Sequence, residues 1–509
     1  MPMQNLGKTS PAAIQKTRLA PGLAFFVFVV LAVLLPYFVA TRPSVGGETS
    51  TLLCIALVVY SAARISLMVL RGTPQPLALG FQLFLYPFIG LSGLAQVTSG
   101  VYPLLGAAYA NSVREGALLV IIAGVASHEF GYFLASLRQP ILGESPRVSR
   151  IDFHQTATVI LGLFGIAFLV YTIGQVGIQP FFTSRDDAAQ SLAGTTGQVY
   201  ALEDKTWYLT RNLLRSIPVF VALVATLVLI REKKWRFGRL GRLASYTFLS
   251  ALVCANVVSN NPLSNSRFWF GSVILTLVAI YLPWRTERGF RVLSIIALSV
   301  FIFVFGLLDA FRRSEADLAV GSLQWSLTTD ESYSAVQTTL NGYVFTLQNP
   351  PMMGGQLITA ILTFVPRSIW PSKGVDTGSV VDSLYNRAAT LWTEFSVDFG
   401  LVGVVVGFAV YGIFAALIDL RVKYLSVSLA TITALAVGLQ VLLLRGSLVT
   451  AMTQLYSLAF FFGVVLIPWS RHRVRSDRRL ESRLFRAPPV SAGGDARSNE
   501  MHKHRERTK

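Results

Sequence analysis

Between Phe364 and Gly374 the chain reads Phe-Val-Pro-Arg-Ser-Ile-Trp-Pro-Ser-Lys-Gly. Pro366 and Pro371 fix backbone dihedrals and remove two N–H donors, so the loop is stiff. It presents Arg367 and Lys373 on either side of Trp370, whose ring suits a membrane interface. A guanidinium offers a planar two-pronged donor and an ammonium a point charge, and together they suit a phosphate group; the plainer alternative is an anchor to lipid headgroups. A little further on, Glu394 and Asp398 lie four apart around Phe395 and share a helical face. Glu394 is a candidate general base, or a carboxylate that orients an arginine.

Three more arginines border apolar runs. Arg267 follows the polar turn Asn260-Asn261-Pro262-Leu263-Ser264-Asn265-Ser266. Arg312 and Arg313 follow an apolar run, with Asp309 in position to pair with Arg312. Arg445 closes another run in Leu-Arg-Gly-Ser. Each is either a snorkelling anchor for a helix end or a fixed cation in a site.

The elements that must position these residues are membrane spans. The chain has 509 residues, 53% of them hydrophobic and 14% charged, against about 25% charged in a soluble domain. Apolar runs near the bilayer-spanning length recur throughout. The fold class is all-α, a polytopic membrane protein. A β-barrel is excluded because its strands would be short and alternating. Twelve spans are predicted, near 20–40, 51–70, 77–98, 116–136, 157–177, 213–230, 243–260, 267–284, 290–310, 398–420, 424–444 and 450–470. The first reads as a retained helix rather than a cleaved signal.

Twelve spans put the basic segments on one side: Lys8 to Arg18, Arg138 to Arg150, Arg231 to Arg242, Arg285 to Arg291, Arg421 with Lys423, and the tail from Arg471. That bias marks the cytoplasmic face and places both termini there. The net charge of +18 is explained by these loops against anionic lipid, so nucleic acid is not an expected partner. The opposite face carries loops at about 178–212 and 311–397, the larger with one apolar piece, Gly355 to Val365, too short to span. Residues 1–470 then form the transmembrane domain, and 471–509 a basic disordered cytoplasmic tail. Arg267, Arg312, Arg367, Lys373 and Arg445 all fall on the outer face, against the charge bias.

Neither a Walker A loop, HExxH, GxSxG nor an acidic cluster with metal spacing is present, so no cofactor or metal is expected. Cys54 and Cys254 lie in apolar runs and are expected to be unpaired. His128, within the fourth span, reads as a buried structural histidine. Gly400, Gly403, Gly407 and Gly412 suggest close helix packing.

The order Asp-x-Phe-Arg (309–312), Gly-Gly-Gln-Leu (354–357), Phe-Val-Pro-Arg-Ser-Ile-Trp-Pro-Ser-Lys-Gly, then Glu-Phe-Ser-Val-Asp-Phe-Gly-Leu-Val-Gly (394–403) and a late Leu-Arg-Gly-Ser resembles the Wzy-type oligosaccharide repeat-unit polymerases, also called O-antigen polymerases. The resemblance covers about 258–450 and is most specific at Pro366–Lys373; the family usually has proline where this chain has Gly374. It implies a metal-independent membrane glycosyltransferase of the lipid-linked C-type class in a bacterial cytoplasmic membrane. Its substrates would be oligosaccharides on undecaprenyl diphosphate at the outer leaflet. It implies Arg367 and Arg445 on the diphosphate, Glu394 as base, and Arg267, Arg312, Lys373, Trp370 and Asp398 around the substrate. A flippase and a chain-length regulator are the implied partners. The rivals are a transporter or flippase, which should carry ionisable groups near mid-membrane, and an O-antigen ligase, which shares the chemistry but not the acceptor.

Overall fold

Every regular element among the described residues is helical. The computed structural model describes residues 11–41, 44–45, 47–104, 108–137, 151–182, 202–235, 239–263, 265–304, 323–381 and 388–467. One compact unit covers Met1–Ile467. The tail expected to be disordered lies outside the described residues, as do Asp309, Arg312 and Arg313.

Among the described residues ten helices are long and apolar enough to cross a membrane. They are α1 (Ala20–Val39), α2 (Glu48–Arg71), α3 (Pro76–Ser99), α4 (Asn111–Leu137), α5 (Gln155–Val176), α6 (Leu202–Arg231), α7 (Arg239–Ser259), and later α14 (Leu391–Arg421), α15 (Val427–Arg445) and α16 (Leu448–Leu466). The predicted eighth and ninth spans are helical but fall short of that measure: α8 is Arg267–Tyr281 and α9 is Glu287–Ser299, continued by a wide π turn to Val304. Pro283, two residues past its end, keeps α8 short.

Helix α3 is buried along its whole membrane-crossing length and is the axis of the bundle. A helix enclosed on all sides must satisfy its own polar groups. Accordingly Gln82 accepts from Ser61 Oγ at 2.8 Å, and Gln96 Nε2 donates to the carbonyls of Leu327 and Tyr333 at 2.9 and 2.8 Å. Pro87 cannot join the α ladder, and the helix absorbs it in a π turn over Leu85–Leu91. Helices α4 and α14 pack with almost no side chain between them: a Cβ on Gly131 would sit 2.0 Å from the Ala409 carbonyl oxygen, and one on Gly412 2.0 Å from that of His128.

Gly400 does not serve packing, since nothing lies within 4 Å of its Cβ position; its φ of 65° kinks α14. The short arm before the kink begins at Leu391, seven residues ahead of the predicted span, because Thr390 caps it by accepting from Thr393 N at 3.3 Å. The large loop is also more ordered than its single predicted apolar piece. It holds α10 (Leu323–Thr329), α11 (Ala335–Gln348), α12 (Gly355–Ile361) and α13 (Thr377–Val381). The polarity of α11 hid it from hydropathy, yet its polar groups are paired inward. Gln337 exchanges hydrogen bonds with the Leu104 backbone at 2.8 and 3.0 Å, and Thr339 meets Thr390 at 2.9 Å.

The two ends of the bundle differ. At one end the basic connections meet: Arg285 donates to the Leu425 carbonyl at 2.7 Å, Arg291 to that of Val69 at 2.9 Å, and Lys234 pairs with Asp152 at 2.8 Å. Burial pulls the Lys234 ammonium down, but Asp152 and Glu232 outweigh it and hold the group above the usual lysine range. The other end carries α10 to α13 and every described residue from the candidate site.

Candidate functional site at the loop-rich end

Two arginines grip one short turn, Glu331–Tyr333. Asp330 caps it by accepting from Ser332 N at 2.8 Å. Arg267 holds Asp330 through two parallel hydrogen bonds, both 3.0 Å, and also donates to Ser332 Oγ. Arg267 is only 3% exposed, so it supports the turn from beneath rather than facing a ligand. Ser266 fixes its place by capping α8 from Trp269 N, and Asn260 accepts from the Trp269 indole at 2.7 Å. From the other side Arg445, at the end of α15, donates to the Ser332 carbonyl at 2.7 Å, to the Glu331 carbonyl, and to Ser334 Oγ at 3.3 Å. Its guanidinium carbon lies 5.4 Å from the centre of the Phe268 ring.

Three residues beyond Arg445, Leu448 N donates to Glu394 Oε1 at 2.9 Å, and Thr377 donates its hydroxyl to Oε2. Glu394 is 3% exposed. It ties the start of α14 to the start of α16 and to α13. Both of its oxygens are engaged in holding these segments, which is the geometry of an orienting group. Asp398, one turn on, accepts from the backbone N–H groups of Gln356 and Leu357 at 3.0 and 2.7 Å. It thereby caps α12 from another helix, with Gly354 at φ 87° making the entry turn. Its oxygens are committed to backbone, a structural employment.

The loop from Phe364 to Gly374 folds as its prolines suggest. Ile369 and Trp370 donate backbone N–H groups to the Pro366 carbonyl, each at 3.0 Å. Lys373 Nζ closes the loop on the Thr363 and Val365 carbonyls at 2.7 and 2.9 Å, and Arg367 reaches the Gly374 carbonyl at 3.2 Å. Partial burial, and then the neighbouring Arg367, hold the Lys373 ammonium below the usual lysine range. Arg367, Trp370 and Lys373 are all half-buried, while Phe364 and Ile369 stand out at 69% and 75% exposure. Among the described residues no carboxylate pairs with Arg367 or Lys373. Cations beside protruding apolar side chains suit a bilayer surface.

The described candidates therefore form one connected chain. The loop carrying Arg367 and Lys373 leads into Thr377, which meets Glu394; Glu394 holds Leu448, next to Arg445; Arg445 and Arg267 share the turn at 331–334. The residue missing from the sequence reading is Asp330, whose only local signal is an Asp ahead of a turn. Among the described residues no group of three His, Cys, Asp or Glu is placed to hold a metal ion.

A second polar cluster lies inside the bundle, well away from this end. Arg64 pairs with Glu129 at 2.8 Å, and Gln82 donates to Glu129 at 3.3 Å. His128 stacks on Phe81 at 3.8 Å between ring centres and is 1% exposed, so it is buried as expected; it is not the satisfied histidine expected, since neither ring nitrogen has a hydrogen-bond partner among the described residues and Nδ1 lies 3.8 Å from Glu129 Oε1. Asp419 caps α3 through Leu77 N and Ala78 N at 2.9 and 3.0 Å. Charged residues within predicted spans were a readable signal for this cluster.

Comparison with family models, with curated proteins and with solved structures returned no match.

Proposed function

We propose that this chain is a membrane glycosyltransferase that polymerises oligosaccharide units carried on a polyisoprenyl diphosphate, with the loop-rich end at the outer face of a bacterial cytoplasmic membrane and both termini inside. The observation that carries this reading is the pair Arg367 and Lys373, without carboxylate partners among the described residues and flanked by protruding apolar residues, beside the buried Glu394 network. In the reaction a hydroxyl oxygen of one unit bonds to the anomeric carbon of the other. The bond from that carbon to the diphosphate oxygen breaks, the lipid diphosphate leaves with the electron pair, and the hydroxyl proton passes to a base. Negative charge grows on the leaving diphosphate, and fixed cations aimed at it stabilise that change. In this assignment Arg367 and Lys373 take the diphosphate. Arg445 and Arg267 hold the floor of the site, Glu394 and Asp398 position its helices, and Trp370 lies against the lipid.

The test is surface polysaccharide from cells carrying Arg367→Ala or Arg367→Lys, with membrane levels matched. Single repeat units in place of a long ladder support the reading; an unchanged ladder leaves Arg367 as a lipid anchor. The Arg64–Glu129 pair and His128 favour a second reading, transport of the lipid-linked sugar, because ionisable groups inside a bundle mark translocation paths. Glu129→Gln separates the two. It spares the ladder in a polymerase, and in a flippase it strands lipid-linked units on the cytoplasmic side. A ligase is separated by its acceptor, since it would join finished chains to a different lipid.

A further inference from the structure

Arg64 on α2 and Glu129 on α4 pair at 2.8 Å where these two helices pack together over α3. They lie seven and eight residues before the ends of their helices at Arg71 and Leu137, about 10–12 Å in along the axis at 1.5 Å per residue. Arg291, at the basic end of the bundle, reaches the last turn of α2 at the Val69 carbonyl, so the pair sits in the half nearer that end. On the lipid side of a helix at that depth no water supplies a hydrogen bond.

The pair is nonetheless open on that side. Its side chains are 21% and 24% exposed, whereas His128 next to Glu129 is sealed inside the bundle. Nor is the cation saturated. A guanidinium carries five N–H groups, and among the described residues the only polar partner of Arg64 is Glu129. Glu129 accepts from Gln82 at 3.3 Å and lies against Tyr60. Snorkelling would carry the guanidinium toward Arg71 and the basic face; Glu129 holds it at depth instead. The surrounding flank is apolar: Leu67, Phe130 and Phe133 stand out from it. Between them Ala63 and the exposed Ala126 are small enough for another helix to approach closely.

We propose that this flank is the contact between two copies of the chain related by a two-fold axis, with Arg64 of each copy reaching Glu129 of the other. Charge selects this occupant. A cation and an anion side by side on two helices are their own complement under a two-fold rotation, so four charges alternate around the axis. A lipid phosphate would meet Arg64 but be repelled by Glu129 beside it, and a partner helix of one charge would meet the same conflict. Polar groups on helix flanks draw helices together in lipid, where burying apolar surface does not. The contact lies far along the helices from Arg367, Lys373 and Glu394. It leaves the outer site open in both copies and is independent of the reaction assigned there.

The experiment co-expresses full-length chains carrying two different tags, extracts them with their lipid into native nanodiscs, and measures the second tag after capture on the first. Wild-type copies should be captured together. Arg64→Glu and Glu129→Arg, each expressed alone, should lose at least about tenfold of that signal, because like charges then face each other across the axis. Expressed together, the two variants again place opposite charges at both contacts, and capture of one by the other should return to near the wild-type level. A pair that acts only within one chain gains nothing from the mixture. Ala126→Trp leaves the pair intact and blocks the approach on a lipid-facing surface, so it reports on the contact even if charge reversal disturbs folding; a loss of several-fold is expected. Wild-type protein captured only as single copies overturns the proposal, and co-extracted phospholipid on those copies assigns the flank to lipid. Capture that Ala126→Trp leaves unchanged, or well-folded charge variants that fail to recover on mixing, overturns it equally.

Discussion

Replacing Glu394 separates its two candidate roles. The carboxylate accepts Leu448 N–H at 2.9 Å and the Thr377 hydroxyl, at 3% exposure. Hydrogen bonds to a charged group contribute about 1.5–3 kcal/mol each, so Glu394→Ala should cost about 3–6 kcal/mol and leave the Leu448 N–H unpaired. Glu394→Gln keeps an oxygen for Leu448 and turns an N–H toward Thr377 Oγ, so its cost should be about 1–2 kcal/mol. If Glu394 only positions its neighbours, the Gln variant should keep polymerisation within about tenfold, since each tenfold is about 1.4 kcal/mol of barrier. A general base would lose about 10²–10⁴-fold. Thermal stability by size-exclusion chromatography and ladder length on matched membranes read the two quantities. A Gln variant of normal stability that has lost a hundredfold in polymerisation would refute the positioning role, and an Ala variant of normal stability would refute the contacts themselves.

Asp330→Ala strips the partner from the buried Arg267 and should destabilise the protein by about 3–5 kcal/mol, whereas Arg267→Met with Asp330→Leu should recover most of it; thermal scans of the three proteins check this. Gly412→Ala drives a Cβ into the His128 carbonyl, where backbone cannot yield cheaply, and should cost at least about 1–3 kcal/mol and lower the yield of folded protein. The lowered Lys373 proton affinity sets a pH dependence. Between its folded pKa and the higher unfolded one, the unfolded chain holds the extra proton, so this group makes stability rise with pH across that window. Anion binding runs the other way, falling as pH rises through the lowered folded value, and Lys373→Arg should move that decline to higher pH in a pyrophosphate titration.

The apolar helices were legible in the sequence because bilayer length and hydropathy act locally. The positions of α2 to α7, α15 and α16 needed only run lengths and the charge of the loops between them. The polar helix α11 was not legible: Gln337 and Thr339 look solvent-facing until Leu104 and Thr390, far away in the chain, supply their partners. The same limit applies at the site. The sequence marks Arg367 and Lys373 through the prolines around them. It holds no local trace of Glu394 meeting Leu448 or Arg267 meeting Asp330, pairs separated by 54 and 63 residues.

The central claim is tested most directly by reconstituting the purified protein in liposomes with a polyisoprenyl-diphosphate-linked oligosaccharide on the face that receives the loop-rich end. The account predicts a ladder of lengthening saccharide and release of one polyisoprenyl diphosphate for each bond formed, with both lost in Arg367→Ala. Unchanged substrate, or movement of the substrate across the bilayer without lengthening, would contradict it.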